Sequence, residues 1–481
     1  MFRLHDSQAL MVTLVIGLTS GLPTAWARPD PIKEGRAHPQ FVLPTIDGDQ
    51  AVALSGFRGK KVLLVHFASW CAESRRDVPL WHKMTKPSID DEKLVVLGIA
   101  HEQHADRCQL FAQWKGIDWP ILHDPLNLVD VAAVPFLVAV DEHGIVRDTK
   151  LDLQTFGKSF VSGKFAAPDK PVETGSATLP VPKEKRGYAH EARTPQGWLD
   201  YGDAVVLAGR KGQIDQAIDA YHWARKLAMQ RTPNLGPEHA DIFFRLGVAY
   251  HMRCERPEHQ PGDFQAAVDA WEKALALRPD NEIFKRRIQQ YGPRVDKPYA
   301  FYDWVKTARM ELAKREETPV ELACEPSVSE RSPPADKFKW SKKKGPKGDP
   351  DEKIKDDRKD LIVVTQAVVR GTDKKNRNVA QVHLTFRPNA EFDAHWDNAS
   401  DPLRLWIRKP KTGRVSRRFV EYSHAMEARS SEARTLNFEV KLPSQQKGTL
   451  TIKGYALYRA CEGEDGKCRL LRQDVKVKIK L

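Results

Sequence analysis

Cys71 is the residue of this chain whose neighbours most favour reactive chemistry. It follows a strand-like apolar run at 62–65 and stands just before a predicted helix start. Unpaired N–H groups at a helix N-terminus and the positive charge of Arg75 and Arg76 stabilise a thiolate, the nucleophilic form of cysteine, whereas Glu73 opposes it. We therefore predict a lowered pKa for the Cys71 thiol and a role in thiol exchange. A buried, unreactive cysteine is the alternative.

A second pair of cysteines stands near the end of the chain. Cys461 and Cys468 flank a short turn between two predicted strands, so their sulphurs can approach disulfide distance across a hairpin. The chain holds six cysteines, too few and too scattered to be the scaffold of a 481-residue protein. The other four are Cys71, Cys108, Cys254 and Cys324, for which the sequence sets no pairing.

The first residues, 1–27, predict a cleavable export signal. Arg3 precedes an apolar stretch at 9–22, and Ala25 and Ala27 form a small-x-small cleavage site. This stretch is shorter than a typical membrane span, and no later segment is apolar enough to cross a bilayer. We expect a periplasmic or secreted protein, in a compartment where disulfides persist, with an uncleaved N-terminal anchor as the alternative.

Length and charge indicate several globular domains. A chain of 481 residues divides into about three domains. Its net charge of +13 comes from interspersed basic and acidic residues, and no aromatic-basic module typical of nucleic-acid binding is present in the sequence. We therefore expect proteins, not nucleic acids, as partners.

The region 28–160 predicts an α/β domain, followed by a linker at 161–190 that is rich in Pro, Gly and Lys. Residues 94–100 form a continuous apolar run, typical of a strand buried on both faces. Pro135 precedes a further predicted strand at 136–140. These strands would place Cys71 at the end of a central strand.

Two motifs in this region, LSGFRGKKVLLVHFASWC and VPFLVAVDEHG, resemble the redoxin branch of the thioredoxin superfamily, which includes TlpA- and ResA-type reductases and peroxiredoxins. The resemblance implies an α/β thioredoxin fold, Cys71 as the nucleophile, and a cis bond at Val134–Pro135 beside the thiol. Ser74 replaces the second cysteine of the family's Cys-x-x-Cys motif, so chemistry stops at a mixed disulfide unless another thiol attacks. Ala68 stands where a peroxiredoxin has Thr or Ser, which disfavours peroxidase activity.

The region 191–316 predicts an all-α domain with two tetratricopeptide-like repeats. The first has Tyr201, Ala204, Val205, Ala208, Ala217, Tyr221 and Ala224, and the second Phe243, Leu246, Gly247, Tyr250, Ala267, Trp271, Ala274 and Pro279. Since about three repeats are needed for a continuous core, helices at 283–291 and 299–312 are predicted to cap them. The resemblance implies a protein-binding module; a rigid spacer is the alternative.

The region 317–357 is charged and lacks apolar periodicity, so we expect a flexible linker. In 358–481 the apolar period changes to two, which predicts an all-β, immunoglobulin-like sandwich. The segments PSQQKGTLTIKGYALYRACEGEDGKC and HWDNASDPLRLWI resemble the N-terminal domain of DsbD-type thiol:disulfide interchange proteins. The resemblance implies that Cys461 and Cys468 hand electrons to thioredoxin-like partners; a structural disulfide is the alternative.

We expect no metal site and no cofactor. His101, His104 and Cys108 have a spacing that permits metal ligation, but solvated histidines on an exposed helix are the preferred interpretation. Cys254 stands near two further histidines, His251 and His259, yet one loop cysteine without a second thiolate is a weak ligand set.

Three functions follow from these patterns. The first is an exported thiol–disulfide oxidoreductase in which Cys71 attacks and Cys461 or Cys468 resolves the mixed disulfide. The second is a non-catalytic envelope scaffold with a decayed redoxin domain and partner-binding repeats. The third is a one-cysteine peroxidase, in which peroxide oxidises Cys71 to a sulfenic acid.

Overall fold

The computed structural model describes residues 32–169, 194–209, 212–343, 345–399, 401–422, 428–444, 447–463 and 466–481. The predicted signal at 1–27 and most of the predicted linker at 161–190 lie outside the described residues. The chain forms an α/β domain, a helical region and a β-rich C-terminal region. Within the described ranges, no helix combines the length and apolar character that a membrane crossing requires.

The α/β domain is built on a five-stranded mixed sheet and a separate two-stranded sheet formed by its first two strands. Its strands are β1 (Val42–Pro44), β2 (Ala51–Ala53), β3 (Val62–Phe67), β4 (Val95–Ala100), β5 (Ile121–His123), β6 (Phe136–Val140) and β7 (Val146–Asp148), and its long helices are α1 (Ala72–Asp90) and α2 (Ala105–Lys115). The sheet order is β5-β4-β3-β6-β7, with β3 parallel to β4 and antiparallel to β6. Every residue of β3 is buried, as expected for a central strand covered on both faces.

The helical region contains two helix pairs with the same contact. Its helices are α3 (Pro195–Leu207), α4 (Ile214–Arg231), α5 (Ala240–Cys254), α6 (Asp263–Leu277) and α7 (Glu282–Tyr291). In the first pair Gly202 lies against Tyr221, and in the second Gly247 lies against Trp271, so close that a Cβ atom at either glycine would overlap the ring. The core of this region also contains Val131 of the α/β domain.

Helix α8 (Trp304–Lys314) packs on the α/β domain and not on the helix pairs, so the prediction that 299–312 caps the repeats is wrong. Trp304 lies against Phe111 of α2, with ring centroids 5.9 Å apart, and stacks on Trp114 at 5.8 Å. The buried apolar residues of 301–312 belong to the same cluster as Cys71. The α/β domain is therefore completed by a segment that follows the helical region.

The expected flexibility of 317–357 is also wrong, because both ends of this segment are packed. Near its start lies the short helix α9 (Val328–Arg331), whose Glu330 forms a buried ion pair with Arg107 of α2 at 2.7 Å. Near its end, buried Asp349 pairs with Arg472 of the C-terminal region at 3.2 Å. Charge density suggested a solvated linker, but these charges are paired across domains.

The C-terminal region has two antiparallel sheets around one core. The strands are β8 (Ile362–Arg370), β9 (Val379–Pro388), β10 (Ala394–Asp397), β11 (Arg404–Ile407), β12 (Arg414–Val415), β13 (Phe419–Glu421), β14 (Arg429–Ser430), β15 (Arg434–Lys441), β16 (Thr449–Glu462) and β17 (Arg469–Lys480). One sheet has the order β12-β15-β9-β8, and the other has β13-β11-β16-β10-β14 with β17 beside β16. Cys461 at the end of β16 forms a disulfide with Cys468 before β17, with Cα atoms 4.0 Å apart.

The β12-β15-β9-β8 sheet faces the helical region. The ring Nε2 of buried His383 on β9 lies 2.7 Å from the carbonyl oxygen of Tyr291 at the end of α7. Glu439 on β15 pairs with Arg294 at 3.4 Å. Cys461 lies on β16 of the other sheet, and Cys468 directly precedes β17 of that sheet.

Candidate active site around Cys71

Cys71 is the N-cap residue of α1, because β3 ends at Phe67 and the helix begins at Ala72. The backbone N–H of Ser74 donates to the Cys71 sulphur at 3.4 Å. The thiol lies 3.2 Å from the carbonyl oxygen of Val134 and 3.3 Å from Oε2 of Glu73, and it can donate to either. The Glu73 carboxylate and the Ser74 N–H therefore have opposite effects on the pKa of the Cys71 thiol.

The loop before β6 brings Pro135 to this sulphur. The Val134–Pro135 bond is cis, the geometry that the resemblance implies. The helical region supports this loop, since Ala132 accepts a hydrogen bond from the N–H of Glu282 at 2.8 Å. Cys71, Ser74 and Pro135, the three predicted site residues of this domain, lie together.

A segment from beyond the helical region covers the thiol. The carbonyl oxygen of Phe301 accepts a hydrogen bond from the Arg75 guanidinium at 3.2 Å, and the Phe301 ring lies 6.3 Å from the Trp70 ring. Tyr299 lies beside Cys71, and burial together with the charge of an ionised Cys71 raises the pKa of this tyrosine. Cys71 is consequently only 1% exposed.

Burial raises the pKa of the Cys71 thiol, so the prediction of a lowered pKa is wrong. The Ser74 backbone and side chain favour the thiolate, while Glu73 adds to the upward shift. Neither arginine offsets these effects: Arg75 donates to backbone carbonyls, and Arg76 forms a surface pair with Asp77 at 2.6 Å. The Ser74 hydroxyl is buried without an aligned hydrogen bond among the described residues.

A buried carboxylate ties the cover to the active-site turn. Oε2 of Glu102 accepts hydrogen bonds from the backbone N–H and the hydroxyl of Ser69, at 3.2 and 2.6 Å. Its Oε1 accepts a hydrogen bond from the Tyr302 hydroxyl. No local motif predicts Glu102, Tyr299 and Tyr302 as site residues, because the contact that brings Tyr302 to Glu102 joins residues 200 positions apart.

The other thiols are placed differently from Cys71. Cys108 is fully buried inside α2, and burial raises the pKa of its thiol well above the usual value. Cys461 and Cys468 form their own disulfide. The Cys71 sulphur contacts Glu73, Ser74 and Val134, and neither Cys461 nor Cys468 is among these partners.

The interpretation of His101 as a solvated histidine is wrong. His101 is 2% exposed, and its Nε2 lies 3.0 Å from Nδ1 of buried His66. Burial lowers the pKa of His101 to about 3, so both rings of this pair are neutral at physiological pH. Its role is structural: its carbonyl oxygen accepts a hydrogen bond from the Trp70 indole at 3.1 Å.

Comparison with known proteins places this site in context. No protein-family model matches the chain. The thioredoxin-like protein YneN of Bacillus subtilis is 29% identical over 128 residues, which cover 26% of this chain and 75% of that protein. The thiol-disulfide oxidoreductase ResA of Geobacillus kaustophilus is 27% identical over 117 residues, covering 24% and 66%. The thiol:disulfide interchange protein DsbE of Pseudomonas fluorescens is 28% identical over 120 residues, covering 24% and 64%.

Among solved structures, a putative protein disulfide isomerase from Bacteroides thetaiotaomicron is 27% identical, covers 24% of this chain and 77% of its own, and has a TM-score of 0.23. The chain thus spans slightly less than two thirds of the ResA and DsbE relatives. The sequence similarities to YneN, ResA and DsbE support a thioredoxin-like thiol–disulfide oxidoreductase domain of the ResA/DsbE type over about a quarter of the chain.

Proposed function

We propose that this protein is an exported thiol–disulfide exchange protein that uses Cys71 as a single active-site thiol. The observation that carries the proposal is the position of Cys71 at the N-cap of α1, with its sulphur 3.2 Å from the backbone oxygen of Val134. The similarity to thiol–disulfide oxidoreductases supports protein thiols and disulfides as substrates. Export rests on the signal predicted at 1–27.

The proposed reaction begins when the Cys71 thiolate attacks one sulphur of a partner's disulfide. A new S–S bond joins Cys71 to the partner, and the partner's second sulphur leaves as a thiolate that takes up a proton. Ser74 cannot attack the new bond, so the mixed disulfide persists until a further thiol arrives. That thiol comes from the substrate, or from the Cys461–Cys468 pair after a dithiol of a separate protein has reduced it by thiol–disulfide exchange and has itself become a disulfide.

Access to Cys71 requires movement of the cover. A thiol that is 1% exposed cannot meet the sulphur of a folded partner while Tyr299 and Phe301 remain in place. A partner that exposes the thiol must break the hydrogen bonds of Arg75 and Glu102 to this segment and lift Phe301 from the buried cluster. In the closed state the raised pKa keeps Cys71 protonated and slow to react.

The finer assignments of the remaining domains form part of the same proposal. The repeated contacts Gly202–Tyr221 and Gly247–Trp271 support tetratricopeptide-like repeats that bind a partner protein. The hairpin disulfide supports a DsbD-like, immunoglobulin-type sandwich whose cysteine pair exchanges electrons. The β12-β15-β9-β8 sheet faces the helical region, and the cysteine pair belongs to the opposite side of the β-rich region. This pair is therefore positioned to meet a separate molecule.

The test uses the chain without residues 1–27 and glutathione disulfide as the probe. Intact-mass and peptide analysis should show one glutathione on Cys71, and the Cys71→Ala variant should not acquire it there. In Ser74→Cys the adduct should disappear as a Cys71–residue 74 disulfide forms and glutathione is released. Ser74→Ala, the matched control, should keep the adduct. Absence of modification at Cys71, even in a Tyr299→Ala variant, would contradict the proposal.

The scaffold function is the second candidate, because the burial and raised pKa of Cys71 favour it. It predicts that Cys71 stays unreactive in Tyr299→Ala and at alkaline pH. It also predicts that Cys461–Cys468 resists reduction until the sandwich unfolds. The peroxidase hypothesis has less support, since Ala68 has no hydroxyl at the position where a peroxiredoxin has Thr or Ser.

A further inference from the structure

Four side chains able to bind a metal ion meet between the α/β domain, the helical region and the segment that follows α8. His104 is the N-cap residue of α2 in the α/β domain. His251 and Glu255 lie four positions apart at the end of α5, and Cys324 belongs to the segment between α8 and α9. One potential ligand atom from each of His104, His251 and Glu255 lies within 4.8 Å of the others.

The separations of the Glu255 oxygens from the other three side chains suit one small ion. Oε1 of Glu255 lies 3.3 Å from Nε2 of His104 and 3.7 Å from Sγ of Cys324. Oε2 of Glu255 lies 3.4 Å from Nδ1 of His251. A tetrahedral ion with bonds of about 2.0–2.3 Å to nitrogen, oxygen and sulphur holds its ligand atoms about 3.3–3.7 Å apart.

The cluster is shielded from solvent and contains an unsatisfied atom. The side chains of His104 and His251 are 11% and 5% exposed. Nε2 of His104 is a buried nitrogen without an aligned hydrogen bond among the described residues, and it lies next to the Glu255 carboxylate. A cation between them would satisfy both groups.

We propose that His104, His251, Glu255 and Cys324 bind one divalent ion of the Zn²⁺ type, which ties the α/β domain, the helical region and the segment between α8 and α9 together. Imidazole, carboxylate and thiolate are all accepted Zn²⁺ ligands, and a closed set of four is typical of a structural site. The Glu255 carboxylate and the Cys324 thiolate balance the two positive charges. Binding releases the Cys324 proton to solvent as the sulphur–metal bond forms.

Two neighbours must adapt to the ion or tolerate it. The Gln103 amide nitrogen lies 2.7 Å from Nδ1 of His251 and 3.0 Å from Oε2 of Glu255, so this amide turns away when the ion enters. Arg107 donates to the backbone oxygen of Cys324 at 3.1 Å, but its charge is neutralised by Glu330. The site shares no residue with the Cys71 site, so it does not depend on the function proposed for that thiol.

The experiment measures metal binding to the metal-free, reduced chain lacking 1–27. We expect one Zn²⁺ per chain in competition with a chromophoric chelator. Co²⁺ should give a tetrahedral visible spectrum with a thiolate charge-transfer band. Glu255→Gln and His104→Ala should bind at least about 100-fold more weakly, since even loss of an outer-shell partner costs 10–100-fold. Cys324→Ser should lose the charge-transfer band.

Two neighbouring residues outside the cluster provide matched controls. His259→Ala and Cys254→Ser should bind Zn²⁺ like the parent chain. Zn²⁺ should also raise the melting temperature of the parent chain but not that of Glu255→Gln, because only a folded site binds the ion. The proposal is overturned if the parent chain gives neither a cobalt spectrum nor a melting shift. Equal affinities of the parent and Glu255→Gln chains would overturn it as well.

Discussion

At the scale of single residues, the reactivity of Cys71 depends on which of two opposing effects is larger. The N–H of Ser74, 3.4 Å from the sulphur, favours the thiolate. Burial opposes it more strongly, and the nearby Glu73 carboxylate adds to this effect. Because burial outweighs the helix N-terminus at this site, the Cys71 thiol is protonated in the closed form.

Glu73→Gln is expected to speed the alkylation of Cys71 by iodoacetamide at pH 7. Removing an exposed carboxylate whose oxygen lies 3.3 Å from the sulphur should lower the pKa of the thiol and so raise the alkylation rate about severalfold. The measurement is the pH dependence of the alkylation rate. Asp90→Asn, at the other end of α1, is the control and should leave the profile unchanged. A shift of equal size in both variants would count against a local effect of Glu73.

At the scale of secondary-structure elements, α8 and the segments on either side of it connect the site to the rest of the molecule. Phe301 meets Arg75 across 226 positions, and Glu330 meets Arg107 across 223. The Arg107–Glu330 pair is almost fully buried, at 1% and 3% exposure. Removing one partner of such a pair leaves an uncompensated charge inside the protein.

Glu330→Gln is therefore expected to lower the free energy of unfolding by about 3–5 kcal/mol and to loosen the cover of Cys71. Chemical denaturation measures the first effect, and alkylation of Cys71 below the unfolding transition measures the second. Glu325→Gln is the matched control, because its pair with Arg309 is exposed and should contribute little. If Cys71 becomes reactive only as the whole protein unfolds, Glu330 does not govern the cover.

Gly247→Ala tests the tight contact in the second helix pair. A Cβ atom there would lie 2.2 Å from the ring of fully buried Trp271, so one helix must shift. We expect a loss of about 1–3 kcal/mol of stability in chemical denaturation, despite the better helix propensity of alanine. Gly56→Ala, where no atom lies within 4 Å, should cost much less. Equal stabilities would mean that the helices are not closely packed.

The sequence was a good guide where the signal was local. Apolar runs and short motifs predict the buried strands and the position of Cys71 at a helix start. The family resemblance implies Pro135 beside the thiol, and strand alternation predicts the Cys461–Cys468 hairpin. The cover and the pKa of Cys71 could not be predicted, because both depend on residues more than 200 positions away. The charged stretch at 317–357 misled for the same reason, since its partners lie in other domains.

At the scale of the whole molecule, buried neutral histidines between the domains make the stability of the fold depend on pH. His383 lies between the sandwich and the helical region, and burial lowers its pKa to about 4. The unfolded chain takes up a proton near pH 6.5, before the folded chain does. The contribution of His383 to stability is therefore complete above pH 6.5 and is lost as the pH falls towards 4, at about 1.4 kcal/mol per pH unit.

His383→Gln is expected to flatten the fall in stability between pH 6.5 and pH 4.5. A glutamine amide can still donate to the Tyr291 carbonyl, which the histidine ring contacts at 2.7 Å, but it does not titrate. Chemical denaturation at several pH values measures the slope. His143→Gln, in the turn between β6 and β7, should retain the slope of the parent chain. An unchanged slope in His383→Gln would show that other groups cause the acid sensitivity.

The packing of α8 on α2 also fixes the order in which the molecule can be completed. The indole N–H of Trp114 donates to Glu311, 197 residues further along the chain. At synthesis rates of about 5–20 residues per second, Trp114 and its neighbours wait roughly 10–40 s for these partners to leave the ribosome. Throughout that interval the nascent α/β domain presents an uncovered aromatic surface to the cell. The domain whose sequence comes first is therefore finished only after the whole helical region has been synthesised, and a chaperone or a translocation machine that binds aromatic surfaces has time to act on it.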